Sequence, residues 1–312
     1  LLCSTPKVLI FLLNIIKKRE RSPMNDVSAE LLSLLELETL ELNLFRGIGT
    51  GGETSTRIFG GHVIAQALAA AYCTVDDRMC HSLHAYFVRP GDPAMPVVYQ
   101  VDRTRDGGSF TTRRIVAVQN GKQILTMSAS FHIHEDGWHH QHEMPDVQGP
   151  EGLLERAELR AGVAHQLNEK HRDDFLRQRP IEVREIAPRD FFDPAPVGDV
   201  NHLWFRMPAA KGADMSMQHC LLAYASDLNL LGSSLRPHGL TWFNKDVMSA
   251  SLDHAMWFHA PVQFENWYLY TMDSPFSGGA RGFNRGSVYA QDGTLVASVA
   301  QEGLIRKYVP RN

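Results

Sequence analysis

The sequence contains few cysteines and no closely spaced pair of them. Its four cysteines, among 312 residues, form no C-x-x-C motif, which argues against a redox motif, a zinc ribbon or a dense disulfide framework. We expect reduced thiols, with a disulfide between Cys73 and Cys80 as the alternative. Because reduced thiols are typical of proteins that remain inside the cell, we predict a cytoplasmic location.

An excess of charge of one sign is also absent. The formal net charge is −4, and charged residues make up 21% of the chain without forming a long basic run. A nucleic-acid-binding surface needs clustered lysine and arginine, so we expect no nucleic-acid partner. A small anionic ligand needs only a few local cations and is compatible with this composition.

The apolar run near the N-terminus is too short to cross a bilayer. It covers residues 8–16, whereas a membrane-spanning helix needs ~20 residues. Lys17 and Lys18 follow the run, whereas a signal peptide carries its positive charge ahead of the apolar segment. We therefore predict no stable membrane insertion, and we interpret residues 1–27 as an extension that is disordered or foreign to the native protein.

Three well-known site signatures are missing or incomplete. The sequence has no G-x-S-x-G motif, which argues against a nucleophile-elbow hydrolase. Residues 47–52 match G-x-G-x-x-G but lack the flanking strand and helix of a dinucleotide site, so a flexible loop is favoured. The histidine-rich segment 132–142 has no fixed ligand spacing with a distant partner, so a solvated linker is favoured. We predict neither a metal nor a cofactor.

The sequence does contain an internal repeat. Residues 87–90 (FVRP) are matched about 171 residues later by residues 258–261 (FHAP). Some thirty residues beyond each string comes a hairpin signal, Asn120-Gly121 in the first half and Asp292-Gly293 in the second, because these residue pairs tolerate positive φ. The period has the length of a whole domain, so the repeat predicts two related domains.

Each half also carries an apolar helical segment ahead of its strands. The predicted helices are Gly61–Tyr72 and Gln218–Leu231, and their lack of charge, apart from Asp227, predicts burial on nearly all sides. A buried helix followed by four long strands in meander order is an α+β unit with the sheet curled round the helix. Two such units would join edge to edge or face to face. The predicted division is an extension at 1–27, an N-terminal domain at 28–135, a linker at 136–180 with a helix near Leu153–Phe175, and a C-terminal domain at 181–312.

Five strings of residues are distributed along both halves of the chain. They are RIFGGH at 57–62, HSLHAYFVRPGD at 81–92, YASDLN at 224–229, SLDHAMWFH at 251–259 and VAQEG at 299–303. In their order and spacing they closely resemble the type II acyl-CoA thioesterase family. The resemblance implies a tandem (double) hot-dog fold, hydrolysis of fatty acyl-CoA without a metal or covalent intermediate, and assembly as a homodimer or homotetramer.

The resemblance also implies that Asp227, Ser251 and Gln301 are the catalytic residues. Asp227 would take a proton from a water molecule that Ser251 and Gln301 hold beside the thioester carbonyl. When the two halves are superposed, Gln301 falls opposite Ala129 and Ser251 falls near Cys80, so the polar pair is confined to the second half. We therefore predict one active site per chain. The alternative for Asp227 is a structural carboxylate that neighbouring hydroxyl groups cap.

Weaker signals suggest residues that contact the substrate. The start of the first helix is a candidate lining of the pocket. Several arginines near corresponding strand ends, Arg89 and Arg281 among them, could meet the phosphates of CoA, although any of them could equally be an ordinary surface charge. His254 and His259, on the strand that bears Ser251, are expected to support its geometry. The predicted substrate-binding residues are His62, Gly60, Gly61, Arg89 and Arg281.

Two other functions compete with thioester hydrolysis. A hot-dog enoyl-CoA hydratase would use an aspartate and a histidine in a short motif that residues 227–230 do not match. A non-catalytic acyl-CoA-binding protein would be expected to have lost one of the three catalytic residues, all of which are present here.

Overall fold

The computed structural model describes residues 27–49, 56–244 and 247–307. The extension predicted at residues 1–27 lies outside these residues except for Val27. In the described ranges, no helix is long and apolar enough to cross a membrane.

The described residues form five α-helices and thirteen β-strands. The helices are α1 (Val27–Leu35), α2 (Gly60–Tyr72), α3 (Arg156–Val163), α4 (Glu169–Leu176) and α5 (Met215–Ser226). The strands of the first half are β1 (Glu38–Glu41), β2 (Leu44–Ile48), β3 (Met79–Phe87), β4 (Pro96–Asp106), β5 (Phe110–Gln119) and β6 (Lys122–His132). Those of the second half are β7 (Glu182–Glu185), β8 (Asn201–Arg206), β9 (Val247–Ser251), β10 (Asp253–Phe258), β11 (Tyr268–Gly278), β12 (Arg281–Ala290) and β13 (Leu295–Lys307).

The strands form one continuous antiparallel sheet. Its order is β1-β2-β4-β5-β6-β3-β10-β13-β12-β11-β8-β7, with β9 also paired to β13. The two halves meet edge to edge where β3 pairs with β10 and Leu83 lies opposite Met256. The predicted α+β class is therefore confirmed, and of the two expected ways of joining the halves the edge-to-edge one is observed.

The strand order differs from the predicted meander at β3. This strand pairs with β6 rather than with β4, and β10 likewise pairs with β13. The chain crosses from β3 to β4 over the end of the β5–β6 hairpin, where the Gln119 amide donates to the carbonyls of Asp92 and Met95. The crossover leaves one edge of β3 free to pair with β10, and the pairing covers an edge in each half-sheet that would otherwise be open.

The two central helices, α2 and α5, lie antiparallel against each other. At one end Gly61 approaches the backbone of Tyr224, and at the other the Tyr72 hydroxyl lies 2.7 Å from Nδ1 of His219. All but three residues of α2 are buried, which confirms the burial predicted from its composition. The start of one helix is thereby brought to the end of the other.

The second central helix ends earlier than predicted. Instead of running to Leu231 it stops at Ser226, and Asp227 is its C-terminal cap. Asn229 adopts a left-handed conformation with φ 65°, which an α-helix does not tolerate, and a 3-10 helix follows at Leu230–His238. The Asp227 carboxylate therefore lies at a helix end instead of within a helix.

The linker contains two helices where one was predicted. A 3-10 turn at Ala164–Gln166 separates α3 from α4. The side chain of Asn168 accepts a hydrogen bond from the His171 N–H at 3.2 Å, as a helix N-cap does. This cap starts a second helix within the polar segment that was predicted to form a single helix.

Candidate active site

The start of α2 holds the carboxylate of Asp227. Oδ2 of Asp227 accepts a hydrogen bond of 2.8 Å from the Gly61 N–H, and the Asp227 side chain is only 4% exposed. The N-terminus of a helix carries a partial positive charge, so the start of α2 is a favourable neighbour for the side-chain oxygens of Asp227. A Cβ atom on Gly60 would lie 2.7 Å from Oδ2 of Asp227, so the close approach depends on glycine.

Gln301, on β13, is the second partner of this carboxylate. Its Nε2 donates to Oδ1 of Asp227 at 2.6 Å and lies 3.1 Å from Nδ1 of His254. The opposite amide orientation would set its carbonyl oxygen against the carboxylate, so Asp227 favours the orientation in which Nε2 faces it. Oε1 of Gln301 is buried and has no hydrogen-bond partner among the described residues.

Ser251 lies on the same face of the sheet as Gln301. It is half-buried at the end of β9, directly opposite Gly303, and Gly303 shares a face with Gln301 because side chains alternate along a strand. In the described part of the chain, no hydrogen bond joins Ser251 to Asp227 or Gln301. The structure thus places Ser251 as a diagonal neighbour of Gln301 rather than in direct contact with it.

A β-bulge aligns Ser251 with His254. Ser251 pairs with Gly303 while Ala255 pairs with Ala300, so the segment that begins at Ser251 has one residue more than the strand it faces. Such an extra residue reverses the alternation of side chains, and it turns both Ser251 and His254 toward the inner face.

The bulge is held by Asp253, which the sequence reasoning did not single out. Oδ1 of Asp253 accepts a hydrogen bond of 2.7 Å from the Glu302 N–H, and the Leu252 N–H donates to the Glu302 carbonyl at 2.9 Å. Burial raises the pKa of the Asp253 carboxyl group above its usual value. An acidic residue inside the SLDH string was the only signal available in the sequence.

His254 is fully buried behind Gln301. Its Nε2 lies 2.9 Å from the hydroxyl of Ser226, and Ser226 in turn donates to the Ala223 carbonyl at 2.9 Å. Burial lowers the pKa of His254, and the nearby Asp227 carboxylate opposes this shift only in part. The imidazole is therefore neutral near pH 7. His259, by contrast, is exposed and bonds to Ser298 at 2.9 Å.

His62 lies on the first turn of α2, but its ring faces the first half. Nε2 of His62 is 3.2 Å from the Ile48 carbonyl, and burial lowers the pKa of this histidine to about 4. The structure therefore brings Gly60 and Gly61 to Asp227 and directs His62 towards β2.

The structure does not bring Arg89 or Arg281 to the centre. Arg89 is exposed and donates to the Gln123 carbonyl at 2.9 Å. Arg281 pairs with Glu302 at 2.8 Å. Its neighbour Gly282 faces the inner side of the sheet, where a Cβ atom would meet Ser234, so Arg281 lies on the outer face.

A cationic cavity borders the site on the linker side. It lies between α3, the end of α4 and β7, and it extends to Leu228, the residue after Asp227. Its arginines were not singled out in the sequence because they belong to the charge-rich linker. The cationic residues that line it are Arg156, Arg160, Arg177 and Arg179.

Two motifs noted in the sequence have separate outcomes. Residues 50–52 of the glycine-rich loop lie outside the described residues. In the histidine-rich segment, Nε2 of His132 is 2.6 Å from Oε2 of Glu135. Within the ranges that the structure covers, no three histidine, cysteine or acidic side chains are arranged to hold a metal ion.

Family profiles match both halves of the chain. The profile of acyl-CoA thioesterases matches residues 170–304, and the profile of the acyl-CoA thioesterase N-terminal domain matches residues 51–132. Acyl-CoA thioesterase 2 of Haemophilus influenzae is 36% identical over 284 residues, which cover 91% of this chain and 99% of that protein.

Solved structures agree in fold. The acyl-CoA thioesterase II TesB2 of Mycobacterium marinum superposes with a TM-score of 0.73 at 40% identity, covering 89% of this chain and 98% of its own. A hot-dog protein of unknown function from Alicyclobacillus acidocaldarius gives a TM-score of 0.71 at 20% identity, with coverage of 90% and 99%, a similarity that bears on the fold alone. The predicted tandem hot-dog fold is confirmed, and the chain belongs to the type II acyl-CoA thioesterase family.

Proposed function

We propose that the chain hydrolyses acyl-CoA to a free fatty acid and CoA, using a water molecule that Asp227, Ser251 and Gln301 hold. The observation that carries the proposal is the buried Oε1 of Gln301, which has no hydrogen-bond partner among the residues that the structure describes, beside a carboxylate that α2 holds in place. A water molecule at this point can donate one hydrogen to Oε1 and the other to Asp227, which leaves an oxygen lone pair for attack.

The steps follow from these positions. Asp227 takes a proton as the water oxygen attacks the thioester carbon, and the carbonyl π pair moves onto oxygen. When the tetrahedral intermediate collapses, the C–S bond breaks, and the leaving sulfur takes the proton back from Asp227. A thioester is already activated, because sulfur donates poorly into the carbonyl and a thiolate leaves readily. Positioning of the water is therefore the main requirement.

The start of α2 offers a donor for the developing oxyanion. Gly61 donates to Asp227, and His62 and Val63 donate to the Phe59 carbonyl, while Gly60 N–H has no acceptor in the described part of the chain. A free N–H at a helix start is suited to stabilise a negative oxygen.

The cationic cavity beside Leu228 suits the anionic part of coenzyme A. Arginine side chains are the preferred partners of phosphate groups, and those on α3 line the cavity that reaches the residue next to Asp227. Two of the arginines are already paired, Arg156 with Glu185 and Arg177 with Asp174, so it is the position of the cavity beside Leu228 that supports an acyl-CoA substrate.

The test is the substitution Asp227→Asn. The amide has the shape of the carboxylate and its oxygen can still accept from Gly61, although its NH2 group then faces the Gln301 amide in place of the acceptor Oδ1. The fold should persist, while kcat falls by at least about 100-fold, the usual minimum for loss of a general base. Free thiol released from decanoyl-CoA, followed with a thiol reagent, measures the rate. Asp273→Asn is the matched control, because that carboxylate is paired with Arg285 on the surface.

The outcomes separate the competing functions. An Asp227→Asn variant that retains most of the wild-type kcat removes Asp227 from the mechanism. Substrate binding without thiol release by the wild-type protein supports a binding protein instead. Formation of a 3-hydroxyacyl product from enoyl-CoA supports a hydratase.

We also propose an N-terminal domain at 28–135, a linker at 136–180 and a C-terminal domain at 181–312, assembly as a homodimer or homotetramer, and a cytoplasmic location. The profile boundaries leave residues 133–169 unmatched, which supports a linker at 136–180. Light scattering coupled to gel filtration will distinguish a homodimer from a homotetramer, and fluorescence imaging of a tagged full chain will test the cytoplasmic location.

A further inference from the structure

We infer that His254 is a positioning residue that holds the Gln301 amide with its Oε1 directed at the attacking water. This inference rests on the proposed function of Asp227 and Gln301. His254 itself does not touch the water or the substrate; it acts through Gln301.

The hydrogen bonds of Ser226 determine which nitrogen of His254 carries the proton. The Ser226 hydroxyl donates its one hydrogen to the Ala223 carbonyl, so towards His254 it can only accept. Nε2 of His254, at 2.9 Å, is therefore the protonated nitrogen. Nδ1 is left as an acceptor, and it faces the Gln301 amide at 3.1 Å.

Both hydrogens of the Gln301 amide are consequently used. One goes to Oδ1 of Asp227 at 2.6 Å and the other to Nδ1 of His254. The carbonyl end of the amide then points to the remaining side, where Oε1 is buried and has no partner in the described part of the chain. If Nδ1 of His254 carried a proton, it would oppose the amide N–H and favour a reversed amide, which would remove the acceptor for water.

The groups that face His254 keep this arrangement in place near pH 7. They are Gln301, Ser226 and the Asp227 carboxylate, whose Oδ1 lies 3.9 Å from Nδ1. Burial lowers the pKa of His254, and Asp227 offsets this shift only in part, so protonation of Nδ1 is disfavoured.

The first half of the chain shows that the fold does not require this polar pair. One step beyond the Ala255–Ala300 pair of β10 and β13, His254 lies opposite Gln301. The equivalent pair in the first half is Leu83 and Ala129, both buried. A buried polar pair costs stability unless it is fully hydrogen-bonded, so its presence in one half only points to the reaction.

Two substitutions of His254 separate positioning from packing. In His254→Asn the side-chain oxygen can take the place of Nδ1 and still accept from Gln301, while the contact with Ser226 is lost. In His254→Gln the longer amide can reach Ser226 but leaves Gln301 without its acceptor. We expect His254→Gln to lower kcat by roughly 10- to 100-fold, the range for residues that orient catalytic groups, with little change in KM for decanoyl-CoA.

His254→Asn should keep kcat within about 5-fold of the wild type, because it preserves the bond to Gln301. In a Gln301→Ala background, His254→Gln should cause no further loss, since a residue that acts through Gln301 has nothing left to position. The double variant His254→Leu with Gln301→Ala reproduces the first half's pair and should fold with a Tm near that of the wild type, while showing no more activity than Gln301→Ala alone.

Three results would overturn the inference. They are a wild-type kcat for His254→Gln, equal decreases in kcat for the Asn and Gln variants, or a His254→Gln substitution that lowers kcat by the same factor with and without Gln301. The thermal unfolding of each variant identifies losses that come from packing alone. If Asp227→Asn is inactive while His254→Gln is fully active, the proposed function stands and only the role of His254 fails. If Asp227→Asn is active, the proposed function itself fails.

Discussion

At the scale of single residues, the site depends on two glycines that leave room for other groups. A Cβ atom on Gly61 would overlap the backbone carbonyl oxygen of Tyr224, and one on Gly60 would crowd the Asp227 carboxylate and the ring of Phe87. Backbone cannot move aside as a side chain can, so the two positions differ in what a substitution disturbs. Gly61 determines how closely α2 and α5 pack, and Gly60 determines how closely α2 approaches Asp227.

Gly61→Ala should therefore destabilise the protein by about 1–3 kcal/mol, the usual cost of overpacking, because α5 must move. Gly60→Ala should lower kcat while destabilising the protein less than Gly61→Ala does, because the group that it displaces is the Asp227 side chain. Urea unfolding and thiol release from decanoyl-CoA measure the two effects. Gly162→Ala is the matched control: nothing lies within 4 Å of its Cβ position on α3, so it should raise stability slightly. Unchanged stability of Gly61→Ala would contradict this account.

At the scale of elements, local signals predicted local structure. Asn120 and Gly121 both have positive φ, 48° and 69°, as expected for a two-residue hairpin turn. At the second turn Gly293 has a φ of 90°, but the φ of Asp292 is not positive. Its carboxylate instead accepts the Thr294 N–H at 2.9 Å. Both hairpins were predictable from the residue pairs, whereas the geometry of the second turn was not.

Long-range pairing was beyond what periodicity can predict. Alternating side chains identify the face of a strand but not its neighbour, so the pairing of β3 with β6 and β10 was missed. The three residues proposed as catalytic were found through the resemblance. That Asp227 bonds to Gln301 while Ser251 does not was not predictable, because it depends on a helix end, a strand register and a bulge that lie far apart in sequence.

The bulge at Asp253 makes an element-scale prediction. Asp253→Ala removes the acceptor of the Glu302 N–H, and loss of a hydrogen bond to a charged group costs about 1.5–3 kcal/mol. The bulge should relax, Ser251 and His254 should lose their common face, and kcat should fall. Asp253→Asn retains an acceptor oxygen and should preserve most of the activity. Hydrogen exchange at Glu302 reports the bulge directly.

Asp292→Ala is the control for this prediction. It removes a similar carboxylate, which accepts the Thr294 N–H in an exposed turn outside the site. Stability should change there while kcat stays at the wild-type value. A wild-type kcat for Asp253→Ala would show that the bulge does not position the site.

At the scale of the whole molecule, buried histidines make the stability of the fold depend on pH. His62, at the start of α2, and His219, in α5, both have a pKa that burial lowers to about 4. The ring of His219 stacks on Phe258 with centroids 4.2 Å apart, and its Nδ1 bonds to Tyr72 of the other half. Folding therefore holds both histidines neutral where the unfolded chain would protonate them.

The sign of the effect follows from proton linkage. The pKa of both histidines is about 6.5 in the unfolded chain and about 4 in the folded one, so between these values the unfolded state binds more protons and stability falls as pH falls. Each histidine should lower the free energy of unfolding by about 1.5 kcal/mol between pH 6.5 and pH 5. Urea unfolding across this range measures the slope of the free energy of unfolding against pH. His62→Gln should reduce this slope, because glutamine can still contact the Ile48 carbonyl but does not titrate.

His165→Gln, at an exposed position, is the control and should leave the slope unchanged. Equal slopes for the wild type, His62→Gln and His165→Gln would mean that burial of His62 does not govern the acid sensitivity of the fold.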